Sequence, residues 1–177
     1  GYADAKGTHT VGGNTNIAMQ NPNAVPTVLY GGGHASGNNE NIETYAESRV
    51  IGNTSILLTN GRFDNPGHVA IAGGGDANYG SANVKGNTEI VISRDVSVIN
   101  TQGGGQVGIF GGGVARNYGT AGVNGNTNIT IAGGTLDDIS VYGGGLAYMS
   151  NTRAYAYVSG DATITIQGAV GLKAIAM

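Results

Sequence analysis

A histidine and an aspartate occupy matching places in this sequence, and together they could do acid-base chemistry. His34 directly follows the run Gly31-Gly32-Gly33, and Asp76 directly follows the run Gly73-Gly74-Gly75. A histidine that shares a hydrogen bond with a carboxylate can act as a general acid or base. If the two glycine runs lie in adjacent coils of a repeat, we expect His34 and Asp76 to be within hydrogen-bonding reach. No nucleophile or second carboxylate accompanies them, so a surface contact is the simpler interpretation.

Aromatic residues gather around the glycine runs and are the second candidate for chemistry. Tyr30 and Tyr142 precede two of the runs, and further tyrosines follow them. A tyrosine ring offers a large contact area at low entropy cost, so a row of rings could stack on sugars or contact a partner protein. The competing interpretation is that the rings cover the glycine-rich corners. The candidate ligand-binding residues are Tyr30, His34, Asp76, Tyr79, Phe110, Arg116, Tyr118, Tyr142, Tyr148 and Tyr155.

Other carboxylates form weaker patterns. Asp137 and Asp138 are adjacent, and β-helical polysaccharide hydrolases place clustered carboxylates on one outer face. Adjacent residues of a strand point to opposite faces, so we expect these two to diverge. Glu40, Glu43 and Glu47 could form an acidic calcium-binding loop, yet the repeats lack the Gly-Gly-x-Gly-x-Asp pattern of calcium β-rolls. We therefore expect no metal, no cofactor and no catalytic residue.

One pattern, V-x-G-N-T-x-I-x-I, recurs five times and must position these candidates. Its copies begin at residues 11, 50, 84, 123 and 158, so the intervals are 39, 34, 39 and 35 residues. The fifth copy has Asp161 and Ala162 where the others have asparagine and threonine. A period of this length is typical of a solenoid in which each copy is one coil with loops of variable length.

Alternation within a copy predicts a half-buried strand. Thr127, Ile129 and Ile131 alternate with Asn128 and Thr130, so one set faces inward and the other faces water. Stacked coils then place the middle isoleucines in one buried ladder at about 4.8 Å spacing. This ladder consists of Ile17, Ile56, Ile90, Ile129 and Ile164.

The corner before each of these strands contains a glycine and then an asparagine or aspartate. We expect the glycines to have positive φ, which favours glycine, and the side chains that follow to stack and bond the turn backbone. On this interpretation both sets are structural. The glycines are Gly13, Gly52, Gly86, Gly125 and Gly160, and the residues that follow them are Asn14, Asn53, Asn87, Asn126 and Asp161.

A second strand is predicted before each Gly-Gly-Gly run. Its apolar residues stand two apart, so we expect them to point inward, and we expect the residue before the glycines to point outward. The inward set is Val69, Ile71, Val107, Ile109, Ile139 and Val141, and the outward set is Tyr30, Ala72, Phe110 and Tyr142. The segments 36–47 and 149–157, which follow two of the runs, are insertions of the kind that often mark the binding side of a solenoid.

Together these elements predict an all-β chain folded as a right-handed parallel β-helix of about five three-sided coils, with the V-x-G segment as the third short strand. Residues 1–177 then form a single domain. The alternatives are a left-handed β-helix, whose usual hexapeptide period is absent here, and a β-propeller, which needs longer blades.

Composition limits the classes of function. Glycine supplies 34 of 177 residues, which disfavours helices, while 40% of the residues are hydrophobic, which argues against disorder. A net charge of −3 without a basic run excludes the electrostatic footprint of a nucleic-acid binder. The absence of cysteine rules out disulfides and thiolate metal sites.

No apolar run reaches the roughly 18 residues of a membrane span. The uncapped end Ala174-Ile175-Ala176 favours a segment of a larger protein.

The pattern V-N-G-N-T-N-I-T-I-A-G-G-T from Val123 to Thr135, leading into V-Y-G-G-G from Val141 to Gly145, resembles glycine-rich repeats of large bacterial surface proteins of the adhesin-like kind. The resemblance covers nearly the whole chain. It implies a modular exported protein with right-handed β-helical regions, located outside the cell or at its surface. It carries over no functional residues.

We therefore predict a non-enzymatic surface module that binds an extracellular glycan or a host or matrix protein through its loops and tyrosines. A structural spacer or filament unit is the second hypothesis, because open end coils offer unpaired strands for end-to-end or side-by-side self-association. A polysaccharide lyase or hydrolase is the third. None of these hypotheses involves nucleic acid or a membrane span within this segment.

Overall fold

The chain is a parallel β-solenoid. The computed structural model describes residues 2–4, 6–20, 28–37, 45–65, 70–100, 108–148, 153–168 and 170–176. These residues form twenty strands and no helix, and the strands pair in parallel in three sheets. The predicted all-β parallel fold is confirmed, and a β-propeller is excluded because its blades are antiparallel. Within the same residues, no helix is long and apolar enough to cross a membrane.

Three sheets, called A, B and C, form the sides of the solenoid. Sheet A contains β1 (Tyr2–Asp4), β5 (His34–Ser36), β9 (Asp76–Asn78), β13 (Val114–Arg116) and β17 (Leu146–Tyr148). Sheet B contains β2 (Thr8–Val11), β6 (Ala46–Val50), β10 (Gly80–Val84), β14 (Thr120–Val123) and β18 (Tyr155–Val158). Sheet C contains β3 (Thr15–Gln20), β4 (Val28–Tyr30), β7 (Thr54–Asn65), β8 (Ala70–Ala72), β11 (Thr88–Asn100), β12 (Gly108–Phe110), β15 (Thr127–Ile131), β16 (Thr135–Tyr142), β19 (Ala162–Ile166) and β20 (Val170–Ala176).

The chain visits the sheets in the order A, B, C and then returns to A through a Gly-Gly-Gly corner. Sheets A and B each hold five strands, so about four turns separate the first strand of each sheet from the last. This approximately agrees with the predicted five coils. The valine of each V-x-G segment ends a strand of sheet B, and the two residues after it form the bend to sheet C. The T-x-I-x-I segment lies in the first part of sheet C, and the segment before the glycines lies in its second part.

The predicted isoleucine ladder forms the core. Ile17 pairs with Ile56, which pairs with Ile90, and the register continues through Ile129 to Ile164. The three central isoleucines are fully buried, and the two outer ones are partly buried. Full burial of an isoleucine side chain is worth about 1.5–3 kcal/mol, so the ladder is a main source of stability.

The second part of sheet C packs against the same core. Ile71, Ile109, Ile139 and Val141 are all buried there, which confirms that they point inward. Val69 and Val107 lie outside the described residues.

Sheets A and B face each other across a thin layer of alanines. The middle residue of each described A strand is alanine, and Ala35, Ala77 and Ala115 are fully buried against alanines of sheet B such as Ala82 and Ala121. Because alanine has only a methyl side chain, sheets A and B lie closer to each other than either lies to sheet C, whose inner face carries the isoleucines. The cross-section is therefore wide beside sheet C and narrow between sheets A and B.

A threonine in each of the first four coils ties the two parts of sheet C together. The hydroxyl of Thr54 donates to the carbonyl of Gly73 (2.5 Å), and that of Thr88 donates to Gly111 (2.5 Å). Thr15 and Thr127 make the equivalent bonds at 2.7 and 2.6 Å. These threonines face inward, so each hydroxyl needs an internal acceptor. The first glycine of each corner supplies it.

The asparagines form the predicted ladder along the corner between sheets B and C. The backbone N–H of Asn53 donates to the side-chain oxygen of Asn14 in the preceding coil (2.8 Å), and Asn87 bonds Asn53 in the same way (2.8 Å). The series continues through Asn126 and ends with the N–H of Asp161, at 2.8 and 2.9 Å. The structural interpretation of these residues is confirmed.

The expected positive φ at the glycines of this corner is wrong. None of the five has a left-handed conformation. The constraint is the neighbouring coil, because a Cβ added to Gly86 would lie 2.6 Å from the carbonyl oxygen of Gly52 and would also meet the side-chain oxygen of Asn53. Glycine is required here because stacked coils approach closely, and not because of the backbone dihedral angle.

Candidate ligand-binding site in the glycine-corner groove

The corner between sheets C and A is re-entrant, so it forms a groove on the outside of the solenoid. Ile109 and Ala115 point inward and are fully buried, so their neighbours Phe110 and Val114 must point outward. Those two residues are nevertheless only 1% and 3% exposed, because they pack on each other across the glycines. The outer faces of the two sheets therefore face one another.

We call this feature the glycine-corner groove. One wall is the last residue of each short sheet C segment, and the other wall is the first residue of each sheet A strand. The sheet C wall consists of Tyr30, Ala72, Phe110 and Tyr142, and the sheet A wall consists of Tyr2, His34, Asp76, Val114 and Leu146.

The glycines explain how the corner can fold inward. A Cβ on Gly73 would lie 2.7 Å from the Cβ of Thr88, and one on Gly75 would lie 2.6 Å from the Cβ of Ala82. Thr88 and Ala82 are buried inside the solenoid, so the glycine backbone itself packs against the interior. A side chain at these positions would push the corner outward and remove the groove.

The C-terminal part of the groove is filled by its own apolar residues. The rings of Phe110 and Tyr142 stack with centroids 5.2 Å apart and an interplanar angle of 8°. Val114 and Leu146 pack against them from sheet A. Phe110 therefore covers the corner and presents no free ring face. This is the structural role that the sequence offered as the alternative to ligand binding for these aromatic residues.

The N-terminal part of the groove is polar. Nδ1 of His34 lies 2.7 Å from Oδ2 of Asp76, and the two residues are register neighbours in sheet A. The predicted contact between adjacent coils is thus confirmed. The side chain of Asp76 is only 2% exposed, so the carboxylate forms the floor of this part of the groove.

Arg116 reaches this carboxylate from the next strand of sheet A. Its Nη2 lies 3.2 Å from Oδ1 of Asp76 and donates a hydrogen bond of 2.8 Å to the hydroxyl oxygen of Tyr30. The ion-pair contact does not have hydrogen-bond geometry, and Oδ1 is a buried acceptor without a hydrogen-bond donor in the described structure. A buried oxygen of this kind favours a further donor.

Burial, and after it the nearby negative charge of Asp76, raise the pKa of Tyr30 from 10.0 to about 12, and Arg116 acts in the opposite direction. Tyr30 therefore stays a neutral phenol over the physiological range. Its ring also stacks on that of His34, with centroids 6.4 Å apart.

Tyr2 joins the site, and the sequence reasoning missed it. Its ring stacks on His34 with centroids 5.2 Å apart at an angle of 20°, and the residue is 62% exposed. The available signal was the alignment of Tyr2-Ala3 with His34-Ala35 and Asp76-Ala77, which places all three in the same row of sheet A.

The other candidate tyrosines lie elsewhere. Tyr79 and Tyr118 stack on each other at 6.0 Å in the turns between sheets A and B. Tyr155 lies on the outer face of sheet B, 5.5 Å from Tyr157. Tyr148 is half-exposed and lies next to Arg116 in the register of sheet A. The ten candidates therefore do not form one site.

The other carboxylates considered in the sequence do not form a common site. Asp137 and Asp138 both lie between the inward residues Leu136 and Ile139, and Asp138 has φ of 55°. The expectation that they point to opposite faces is wrong, because the register shifts here and places both outside the core. Asp138 instead pairs with Lys173 at 2.9 Å. Glu40 and Glu43 lie outside the described residues.

A second groove follows the asparagine corner and has a volume of about 540 Å³. Its walls are polar, with Ser55, Glu89, Asn128 and Thr163 along the outer face of sheet C. It contains no aromatic residue, and the side-chain oxygens of three of its lining residues, Asn53, Asn87 and Asn126, are already used in the asparagine ladder. Among the described residues, no group of three or more His, Asp or Glu side chains could hold a metal ion.

The fold and the grooves define this chain as a parallel β-solenoid with a polar, aromatic-lined outer corner. No family model, no curated protein and no solved structure matches it.

Proposed function

We propose that this chain is a non-enzymatic binding module of an extracellular or cell-surface protein, and that it binds a glycan in the N-terminal part of the glycine-corner groove. The observation that carries the proposal is the contact of His34 and Arg116 with the buried carboxylate of Asp76. Tyr30 bonds to Arg116 and the exposed ring of Tyr2 stacks on His34 beside it.

The chemistry of this cluster suits a carbohydrate. Sugars present hydroxyl groups that both donate and accept hydrogen bonds, and apolar faces that pack on aromatic rings. Binding sites generally combine such apolar surface with a few fixed polar groups. The polar groups here are held by ion-pair and hydrogen-bond contacts from three successive strands of sheet A and from Tyr30. A rigid arrangement lowers the entropy cost of binding.

A glycan array probed with the wild-type protein and single variants tests the proposal. We expect binding to be lost in His34→Ala and Arg116→Ala and retained in Lys85→Ala, which changes an exposed residue away from the groove. Circular dichroism establishes that the variants keep the β-solenoid fold. Equal binding by wild type and both groove variants would reject the site.

A structural role is the second candidate, and the outer coils favour it. Ile17 and Ile164 are only partly buried, whereas the isoleucines between them are fully buried. A further coil or another molecule stacked on either end would complete their burial. Filaments that appear with rising protein concentration in electron micrographs would support this role, and a monomer at all concentrations would count against self-assembly.

A further inference from the structure

We infer that the groove cluster is built to bind the hydroxyl groups of an uncharged sugar and to disfavour an acidic one. This inference rests on the proposed function, because it names the class of glycan that the same site would take. It follows from which atoms of His34 and Arg116 are occupied inside the protein and which atoms are left for a ligand.

The bond to Asp76 decides which nitrogen of His34 carries the proton. Asp76 is a carboxylate beside Arg116, so its Oδ2 can only accept, and Nδ1 of His34 at 2.7 Å must donate. In the neutral imidazole the other nitrogen, Nε2, then has a free lone pair. Within the described part of the chain Nε2 has no hydrogen-bond partner, and the His34 side chain is 29% exposed. His34 therefore offers an acceptor to a ligand.

Arg116 offers the complementary donor. Its Nη2 is directed to Tyr30 and Asp76, while Nε and Nη1 have no partner in the described structure. The Arg116 side chain is 43% exposed. A guanidinium group donates only, so the two side chains that contact Asp76 present an acceptor on His34 and a donor on Arg116.

A sugar hydroxyl matches this pair because it donates to Nε2 of His34 while a hydroxyl oxygen accepts from Arg116. A carboxylate only accepts, so it would face the lone pair of Nε2 and the negative charge of Asp76. Oδ1 of Asp76 is buried, so Asp76 acts on a ligand through its charge and through the bond to His34. The exposed ring of Tyr2, stacked beside His34, can cover the apolar face of the sugar.

Asp76→Asn tests the mechanism without a change of shape. The new amide would turn its oxygen toward Arg116 and its NH₂ group toward Nδ1 of His34, because two donors cannot face each other. Nδ1 would then accept, and the proton would move to Nε2, which would become a donor. Asp138→Asn is the matched control, since it also neutralises an aspartate in an ion pair, at the surface pair with Lys173.

The probes are methyl glycosides of glucose, galactose and mannose, each paired with the uronate that differs from it only at C6. Binding is followed through the NMR resonances of His34 and Tyr2. We expect at least one neutral glycoside to bind, its uronate to bind no better, and Asp76→Asn to lose about tenfold or more in affinity while Asp138→Asn matches wild type.

The possible results separate the two proposals. Preferential binding of uronates, or unchanged affinity in Asp76→Asn, overturns the inference and leaves glycan binding standing. If no neutral glycoside binds but the glycan array gives positive signals, the inference is likewise overturned and glycan binding stands. An array without any signal rejects the proposed function itself. If Asp76→Asn does not fold, the nitrogen-15 shifts of wild-type His34 decide the tautomer, and a proton on Nε2 overturns the inference.

Discussion

His34 and Asp76 are 42 residues apart in the chain and 2.7 Å apart in space, from Nδ1 to Oδ2. Their strands are neighbours in sheet A, and the two residues are directly opposite each other in the register. The two residues meet because the repeat places the Gly-Gly-Gly corner of each coil in register with that of the next coil.

This contact should contribute to stability, whether or not the groove binds a ligand. A hydrogen bond to a charged group contributes about 1.5–3 kcal/mol, so a double-mutant cycle of His34→Ala and Asp76→Ala should give a coupling free energy of about 1–2 kcal/mol. Chemical denaturation of the wild type, both single variants and the double variant measures it. A coupling near zero would show that the two side chains stabilise the fold independently.

The raised pKa of Tyr30 predicts that the protein loses stability at high pH. Its pKa is raised in the folded state from 10.0 to about 12, so folding favours the protonated phenol. That contribution is fully present below pH 10 and is lost as the pH rises toward about 12. At the upper limit the loss is about 2–3 kcal/mol.

The comparison between wild type and Tyr30→Phe isolates this effect, because the other titrating groups are common to both proteins. We expect the free energy of unfolding of the wild type to fall more steeply than that of Tyr30→Phe between pH 10 and 12. Parallel curves would mean that Tyr30 titrates as an exposed tyrosine.

Two glycine substitutions distinguish crowding from backbone conformation at the asparagine corner. Gly86→Ala places a Cβ 2.6 Å from the carbonyl oxygen of Gly52, whereas a Cβ on Gly13 meets nothing within 4 Å. We expect Gly86→Ala to lower the free energy of unfolding by about 2 kcal/mol or more. Gly13→Ala should be neutral or stabilise by up to about 1 kcal/mol. Thermal denaturation of both variants is the measurement, and equal destabilisation would restore the dihedral explanation.

The buried threonine hydroxyls provide a further test. Thr88→Val keeps the shape of the side chain but removes the donor to the carbonyl of Gly111, and we expect a loss of about 1–3 kcal/mol. The control is Thr163→Val, which changes an exposed threonine of the same sheet and should stay within about 0.5 kcal/mol. Urea denaturation compares the two. Similar losses of unfolding free energy in both variants would show that the hydrogen bond from Thr88 to Gly111 contributes little to stability.

Much of the scaffold could be predicted because it repeats. The alternation around Ile129 indicates which side chains are buried, and the copies at equal register indicate that they stack. The asparagine ladder follows from the same logic, since a polar residue at the same corner of every coil meets its copy in the next coil. The predicted His34–Asp76 contact needed only the additional assumption of adjacent coils.

The tertiary structure decided what the repeat leaves undefined. Whether a corner turns outward or inward depends on how closely its glycine backbone packs against the interior, and this is why Phe110 is buried although it points away from the core. The same inward turn brings Arg116 to Tyr30, 86 residues away, and adds Tyr2 to the site. Sequence alone determined the period, the buried ladder and the strand order, because these depend on local alternation and on the identity of successive copies. The groove and its polar cluster depend on distances between different faces of the coil, and only packing sets those distances.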